Sequence, residues 1–334
     1  MSPTVGDLAT EGLDPNYDPY IISITSLQAL AWSMTATSVL LTAGRLAIRW
    51  NTIRKIGLDD WLNTVAALLC IPFVVTTMQY LPDEYWAQRY YLGLGGELPS
   101  QERQILANKL ELATLILFWL IIYLVKASFL ALYWHLFRVS SKFLVVWWFT
   151  TGFIILSFLV TMTSILWKCG RPVDLINLDA CSGMPMQIAI NLMWIWCSLN
   201  IAGGILLMAL PIFMVTSRLL TLEKMQKVGL IFVFCLVLID IAFDIVRTVY
   251  ALTMELSART NLPAVWTICE PTIAVIVCAL PTYKKFLSFK RWRNSSSIGS
   301  FRSFKNLQVT EVPMELSDVS GYTIHSRSQL HQPV

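Results

Sequence analysis

The chain has 334 residues, of which 56% are hydrophobic and 14% are charged, and its formal net charge at pH 7 is +4. A protein surrounded by water needs a larger charged fraction than this, so the composition excludes an ordinary soluble globular protein. The mean hydropathy of +0.60 predicts instead that lipid forms part of the solvent.

Seven apolar segments follow one another along the chain, each long enough to cross the roughly 30 Å hydrocarbon core as a helix. Strand-like alternation is absent, which favours helices, because a helix satisfies its own backbone in lipid. The predicted helices are residues 21–48, 60–80, 109–137, 143–167, 187–216, 227–254 and 263–283. The predicted fold is therefore an all-α, polytopic seven-helix bundle.

The flanking segments differ from the bundle in composition. Residues 1–20 contain four acidic residues and no Lys or Arg, and we predict that they form an acidic extracytoplasmic segment. Residues 284–334 are basic and Ser-rich without apolar periodicity, which predicts a disordered cytoplasmic tail.

The orientation follows from the distribution of basic residues in alternate connections, because Lys and Arg are retained on the cytoplasmic side. One side carries seventeen Lys and Arg and the other side five. The larger count includes the C-terminal tail, so we predict an N-terminus outside and a C-terminus inside. Aromatic anchors agree with this orientation, among them Trp50, Trp61 and Tyr283 inside and Trp86 and Trp167 outside.

Seven cysteines divide into two groups. Five lie in predicted helices and are expected to pack as small apolar residues. Cys169 and Cys181 lie in the same outer loop, in an oxidising compartment, and no other outer segment offers a third cysteine. We therefore predict a Cys169–Cys181 disulfide with a local role in shaping that loop.

Five charged residues lie inside predicted helices, where each costs at least roughly 2.5–3.5 kcal/mol at the bilayer centre. They are Lys126 in the third helix, Asp240, Asp244 and Arg247 in the sixth, and Glu270 in the seventh. By helix rise they occupy a layer about 15 Å thick, and they converge if these three helices are neighbours.

This charged layer has three interpretations. It ties helices together, it forms a ligand or ion site, or it supplies an acid catalyst. The third interpretation arises because three carboxylates outnumber two cations, and burial favours the neutral form of the remaining acid. The candidate ligand-binding residues are Lys126, Arg247 and Tyr123. The candidate catalytic acids are Asp240, Asp244 and Glu270.

Other chemistries lack their motifs. The chain contains no P-loop, no H-E-x-x-H, no G-x-S-x-G and no paired C-x-x-C, and two of its three histidines lie in the tail. A retinal pigment requires a Schiff-base lysine in the seventh helix, and Lys284 lies beyond its end. We therefore predict no cofactor and no metal site.

Several motifs nevertheless occur together in a known arrangement. They are Gly44-Arg45 ahead of Gly57-Leu58-Asp59-Asp60-Trp61, then Tyr123-x-x-Lys126-x-Ser128, Asn200, Pro211, Lys227-Val-Gly229, Arg247, Glu270 and Leu280-Pro281-Thr282. Over residues 44–283 the chain resembles the fungal rhodopsin-like integral membrane family of the satratoxin-cluster type. The resemblance implies a fungal source and the same seven-helix bundle with rhodopsin-like topology.

The chain also departs from this family. It has Glu97 where the family tends to have a histidine after the second helix, and Gly204 where an aspartate follows the fifth-helix asparagine. If those groups serve a shared site, that site is altered here, and Asp240 with Asp244 is its candidate substitute.

The resemblance also implies functions, because some members of the family are encoded in secondary-metabolite clusters and others resemble receptors. The favoured hypothesis is a multi-pass component of a biosynthetic pathway that binds or transforms a lipophilic small molecule. Its expected location is the plasma membrane or the endoplasmic reticulum. In the enzymatic version of this hypothesis the reaction is an acid-catalysed cyclisation. The alternatives are a cell-surface receptor and a passive scaffold or transporter. The expected partners are the lipid bilayer, a lipophilic small molecule, and either other pathway enzymes or a cytoplasmic signalling protein; no nucleic-acid partner is expected.

Overall fold

The computed structural model describes residues 24–91, 100–137, 141–167, 186–216, 238–239, 241–246, 248–249 and 264–283. Within these ranges all regular secondary structure is α-helical. The predicted N-terminal segment 1–20, the predicted Cys169–Cys181 disulfide and the predicted tail 284–334 lie outside the described residues, so these three predictions stay open.

The helices follow the predicted order. We label them α1 (Ile24–Ile53), α2 (Leu58–Tyr91), α3 (Gln101–Phe137), α4 (Ser141–Leu166), α5 (Met186–Thr216), α6 (the helical residues 238–239, 241–246 and 248–249) and α7 (Ala264–Tyr283). In the part of the chain that the structure describes, all but α6 are long and apolar enough to cross a membrane. The chain is therefore a polytopic helical membrane protein, as its composition predicts.

The second and third helices are longer than predicted. α2 continues past residue 80 to Tyr91, and α3 begins at Gln101 and not at residue 109. Their 34 and 37 residues correspond to helices longer than about 50 Å, which exceeds the hydrocarbon thickness. The prediction followed hydropathy, which drops at the charged residues where the chain leaves the lipid, but a helix does not have to end there.

A short turn joins α1 to α2 and places acidic residues at a helix N-terminus. Arg54 has a positive φ of 54°, and its amide donates to the Trp50 carbonyl at 3.2 Å. At the start of α2 the Gly57 amide donates to Asp60 Oδ2 at 3.1 Å. This is one half of a capping box, and it places two carboxylates, Asp59 and Asp60, where the helix dipole favours negative charge.

α3 is the central helix of the bundle. It is apolar on every face, and its buried side chains form a large part of the core, including Phe118, Trp119, Ile122, Val125 and Phe129. α3 packs against α2, α4 and α5, while α1 packs on α2. The surrounding helices α1, α2, α4 and α5 each bury one face against the bundle and leave large apolar side chains exposed on the other, as lipid contact requires.

Several predicted aromatic anchors are exposed near helix ends. Trp50, Trp61, Trp86 and Trp167 each expose about half or more of their surface. Tyr283 differs, because its hydroxyl donates to the Leu41 carbonyl of α1 at 2.7 Å. It therefore ties α7 to α1 and does not serve only as an interfacial anchor.

The intramembrane cysteines that fall within the described ranges pack in the interior, as predicted. Cys70, Cys197, Cys269 and Cys278 are buried and free of disulfide bonds. They occupy positions in the protein core where a small apolar side chain fits.

Gly44 is the position where α1 comes closest to α7. A Cβ at residue 44 would lie 2.0 Å from the Tyr283 hydroxyl oxygen, so Gly44→Ala should displace Tyr283 and destabilise the protein by about 1–3 kcal/mol. Thermal unfolding in detergent would measure this loss. Gly152→Ala is the matched control, because nothing lies within 4 Å of a Cβ there. In a Tyr283→Ala background this clash is absent. If Gly44→Ala lowers the stability there by the same amount, a clash with Tyr283 does not explain the loss.

Candidate functional site: a central polar site and an inner ionic cluster

Two arginines of α1 and two aspartates of α2 form a buried group that we call the inner ionic cluster: Arg45, Arg49, Asp59 and Asp60. Arg45 donates to Asp60 Oδ1 at 2.7 Å and to Asp59 Oδ2 at 2.6 Å. Arg49 donates to the same two carboxylates at 2.8 Å and 2.6 Å. The cluster is neutral in sum, which is how four charges are accommodated away from water.

The sequence provides this geometry locally. Arg45 and Arg49 are four residues apart and share one face of α1, while the acids are consecutive in the first turn of α2. A Cβ on Gly57 would lie 2.4 Å from Asp59 Oδ1, so the glycine leaves space for the carboxylate beside Arg49. The side chain of Arg45 is only 1% exposed and that of Arg49 is 14% exposed, so Arg49 forms the more exposed side of the cluster.

The cluster also reaches α3 and α7. Arg45 donates through Nη1 to the backbone carbonyl of Cys278. The Ser128 hydroxyl donates to the Asp59 carbonyl at 2.6 Å, and the Cys278 thiol donates to Ser128 Oγ at 3.3 Å. Four helices are therefore joined at one polar point.

The second group surrounds Lys126, which is buried on α3 with 4% exposure. Its ammonium group donates to the backbone carbonyl of Asn200 at 2.9 Å and also to the Asn200 side-chain oxygen. A Cβ on Gly203 would lie 3.3 Å from Nζ, so the glycine leaves room beside the amine. Lys126 and Asn200 thus join α3 to α5 inside the apolar bundle.

Tyr123 lies one turn from Lys126 on the same helix. Its ring centroid is 5.5 Å from Lys126 Nζ, within reach of a cation–π interaction. Its hydroxyl hydrogen-bonds to Ser157 at 2.7 Å and to Thr161 at 3.1 Å, both on α4. Tyr123 also interacts electrostatically with Asp244 of α6. The central polar site, defined as Tyr123, Lys126, Asn200 and Asp244, therefore draws on three helices, and the Tyr123 hydroxyl links it to a fourth, α4.

Aromatic rings line the apolar side of this site. Trp119 lies 6.3 Å from Tyr123 and 6.1 Å from Trp196 between ring centroids, and Phe158 lies 5.3 Å from Tyr123. The Trp196 indole donates to Ser164 at 2.7 Å, which fixes its orientation. Next to the polar groups the bundle therefore presents flat apolar surfaces.

The predicted charged layer requires that α3, α6 and α7 are neighbours, and the structure supports this requirement. Asp244 of α6 is near enough to Tyr123 of α3 for an electrostatic interaction, and the Phe243 and Trp266 rings, whose centroids are 4.9 Å apart, join α6 to α7. Asp244 is 0% exposed and Glu270 is 1% exposed. Asp240 and Arg247 lie outside the described residues, so their roles as a candidate acid and a candidate ligand-binding residue stay predictions.

Sequence reasoning missed three contributions. Arg45 and Arg49 count among the seventeen basic residues that set the predicted orientation, and the structure shows both within α1, bound to the aspartates of α2. Asn200 was noted only as part of a resemblance, although it holds Lys126. The detectable signal was two arginines one turn apart, followed by a short turn and two consecutive acids at a helix start.

The central polar site presents one charged group and several hydrogen-bonding groups. Lys126 is a cationic donor, and the Tyr123, Ser157 and Thr161 hydroxyls can donate or accept. Among the residues that the structure describes, no group of three or more His, Cys, Asp and Glu side chains could hold a metal ion. These groups can donate and accept hydrogen bonds beside the aromatic rings.

Comparison with known proteins adds one match. A family model described as the fungal rhodopsin domain matches residues 44–289. Searches of the curated proteins and of the solved structures found no match to the chain. The matched segment includes the inner ionic cluster and all four residues of the central polar site.

Proposed function

Because the chain belongs to the fungal rhodopsin domain family, we propose that it is a multi-pass membrane protein that binds a lipophilic small molecule within its helical bundle, at the central polar site. The observation that carries this proposal is the placement of Lys126. A lysine in the membrane interior is costly, so it is a functional-site candidate by default. Here it lies beside aromatic rings and hydroxyls from neighbouring helices.

The geometry favours a particular type of molecule. Small-molecule sites combine apolar walls with a few convergent polar groups, and Trp119, Trp196 and Phe158 supply such walls next to Tyr123. A flat or elongated apolar molecule with an anionic or hydrogen-bond-accepting group would match this arrangement. Its polar group would be oriented toward Lys126, and it would enter from the lipid.

The test compares lipophilic molecules that co-purify with the protein expressed in a fungal host. Lys126→Met should retain at least about tenfold less of the molecule than wild type, because a hydrogen bond to a charged group contributes about 1.5–3 kcal/mol. Gly203→Leu should have the same effect without changing the lysine, since its side chain would occupy the space beside Nζ. Mass spectrometry of organic extracts gives the amounts.

Gly152→Leu is the matched control, because residue 152 is exposed on α4 and faces no other atom within 4 Å. It should retain the molecule at the wild-type level. Equal amounts in all four proteins, or no specific molecule in any of them, would refute the proposed binding.

The resemblance to members encoded in secondary-metabolite clusters supports a pathway role for this binding. In the enzymatic version, Asp240, Asp244 or Glu270 would protonate an alkene or epoxide of the bound intermediate while the aromatic rings stabilise the cation. If membranes carrying the Asp240→Asn, Asp244→Asn double variant convert a pathway intermediate as well as wild type, acid catalysis by this pair is refuted.

A receptor is the second candidate, and the inner ionic cluster favours it. Signalling requires that binding in the bundle changes the cytoplasmic end, and the cluster joins α1, α2, α3 and α7 at that end in the predicted orientation. Ligand-dependent recruitment of a cytoplasmic protein would support this candidate.

A further inference from the structure

The inner end of α7 is attached to its neighbours by contacts concentrated in its last turns. Arg45 binds the Cys278 carbonyl, and the Cys278 thiol binds Ser128 of α3. Tyr283 donates to the Leu41 carbonyl of α1 at 2.7 Å. Two of the three bonds end on backbone carbonyls, so they depend on helix position more than on side-chain identity.

The same segment of α3 carries both the central polar site and this attachment. Ser128 is two residues from Lys126 and five residues from Tyr123 on one continuous helix. Its hydroxyl binds Asp59 at the base of α2, and its oxygen accepts from Cys278. A shift of α3 that follows binding at Lys126 must therefore change the contacts of Ser128.

The inner ionic cluster has the physical features of a two-state element. Closed, its four charges pair with one another and Arg45 is excluded from water. When the cluster opens at the aqueous boundary, water hydrates the same four charges, and this hydration offsets much of the free energy lost with the ion pairs. Arg49 is the partly exposed member, so water reaches the cluster from its side. An interface of this kind is bistable.

We propose that the inner ionic cluster, with Tyr283 and Ser128, forms a latch that closes the inner end of α7 against α1 and α3, and that occupancy of the central polar site sets the fraction of molecules in which it is open. The coupling part rests on the proposed small-molecule function, while the latch itself does not. In the open form the α7 segment around Cys278 separates from Arg45 and Ser128 and becomes accessible to water.

Cys278 provides a natural reporter for this opening. The full chain in lipid nanodiscs is treated with a water-soluble maleimide, and mass spectrometry measures modification at each cysteine. In wild type Cys278 should react slowly because it is buried. Arg49→Gln and Tyr283→Phe each remove one stabilising interaction of the latch and should accelerate its modification about five- to tenfold.

Two controls separate local opening from damage to the fold. Cys70 is buried on α2, away from the cluster, and should stay unreactive in every variant. Arg103→Gln removes an exposed ion pair with Asp83 and should leave Cys278 at the wild-type rate. Unchanged Cys278 modification in Arg49→Gln and Tyr283→Phe, or a rise of Cys278 and Cys70 together, would overturn the latch.

The coupling has its own measurement. Lys126→Met should change the Cys278 rate at least about threefold, whereas Gly152→Leu should not. If the latch variants respond but Lys126→Met does not, control by the central site is overturned. A co-purification experiment that finds no bound molecule would discard the proposed function, and the Arg49→Gln and Tyr283→Phe rates would still decide whether the latch exists.

Discussion

Replacing Arg45 with glutamine should destabilise the folded protein by about 3–5 kcal/mol, because it leaves Asp59 and Asp60 buried with half of their positive partners removed. The Cys278 carbonyl loses its donor in the same substitution. Such a loss is a large part of the total stability of a typical domain. The expected result is a strong decrease in monodisperse protein and a lower unfolding temperature in detergent.

The matched control is Arg103→Gln at the opposite end of α2 and α3. Arg103 pairs with Asp83 at 3.4 Å, but its side chain is 72% exposed, and exposed pairs contribute about 0–1 kcal/mol. Arg45→Lys should show an intermediate loss, because a lysine keeps the charge but cannot contact both aspartates and the carbonyl with a planar group. Equal stability of Arg45→Gln and Arg103→Gln would show that burial of the cluster does not determine its contribution.

Trp119→Ala is the second substitution with a large expected effect, about 3–5 kcal/mol. Trp119 is 0% exposed and lies between the rings of Phe118, Tyr123 and Trp196. In a membrane the loss arises chiefly from the cavity and the missing dispersion contacts, because lipid chains are as apolar as the core. Lipid cannot fill a cavity enclosed on all sides by helices.

Trp148→Ala removes the same atoms from a position that is 62% exposed on α4. There lipid chains can occupy the vacated space, so we expect a loss of about 1 kcal/mol or less, from its contacts with neighbouring tryptophan rings. The ratio of the stability losses of Trp119→Ala and Trp148→Ala, measured by thermal unfolding, shows how much more completely the protein encloses the first side chain. If both variants unfold at the same temperature, α3 is not the enclosed central helix that the structure describes.

The two polar groups differ in what they contribute. The inner ionic cluster balances two arginines against two aspartates within the first two helices, and its contribution to folding follows from that balance. The central polar site is assembled from Tyr123 and Lys126 of α3, Asn200 of α5 and Asp244 of α6. We expect substitution of the fully buried Arg45 to affect chiefly stability, and substitution of Lys126 to affect chiefly binding and, through it, the opening of the latch.

The sequence by itself determined the class of protein, the order of its membrane helices and the residues that are costly to bury. These properties depend on local composition: an apolar stretch of sufficient length must form a helix in lipid, whatever its neighbours are. The identification of Lys126, Asp244 and Glu270 as buried charges follows in the same way, and the structure places all three in the interior. Helix ends were less predictable, because α2 and α3 continue beyond the lipid.

Only the tertiary structure decided which residues meet. Arg45 looked like one of many basic residues that set the topology, and only the packing of α1 against α2 and α7 shows it between two aspartates and a backbone carbonyl. Lys126 is predicted to lie in one layer with acids of α6 and α7, and the structure adds Asn200 of α5 as a partner of its ammonium group. Hydropathy and residue spacing specify how deep each residue of a single helix lies in the membrane and on which face of that helix it lies. Partners depend on how helices rotate and pack against one another, which is a property of the whole bundle.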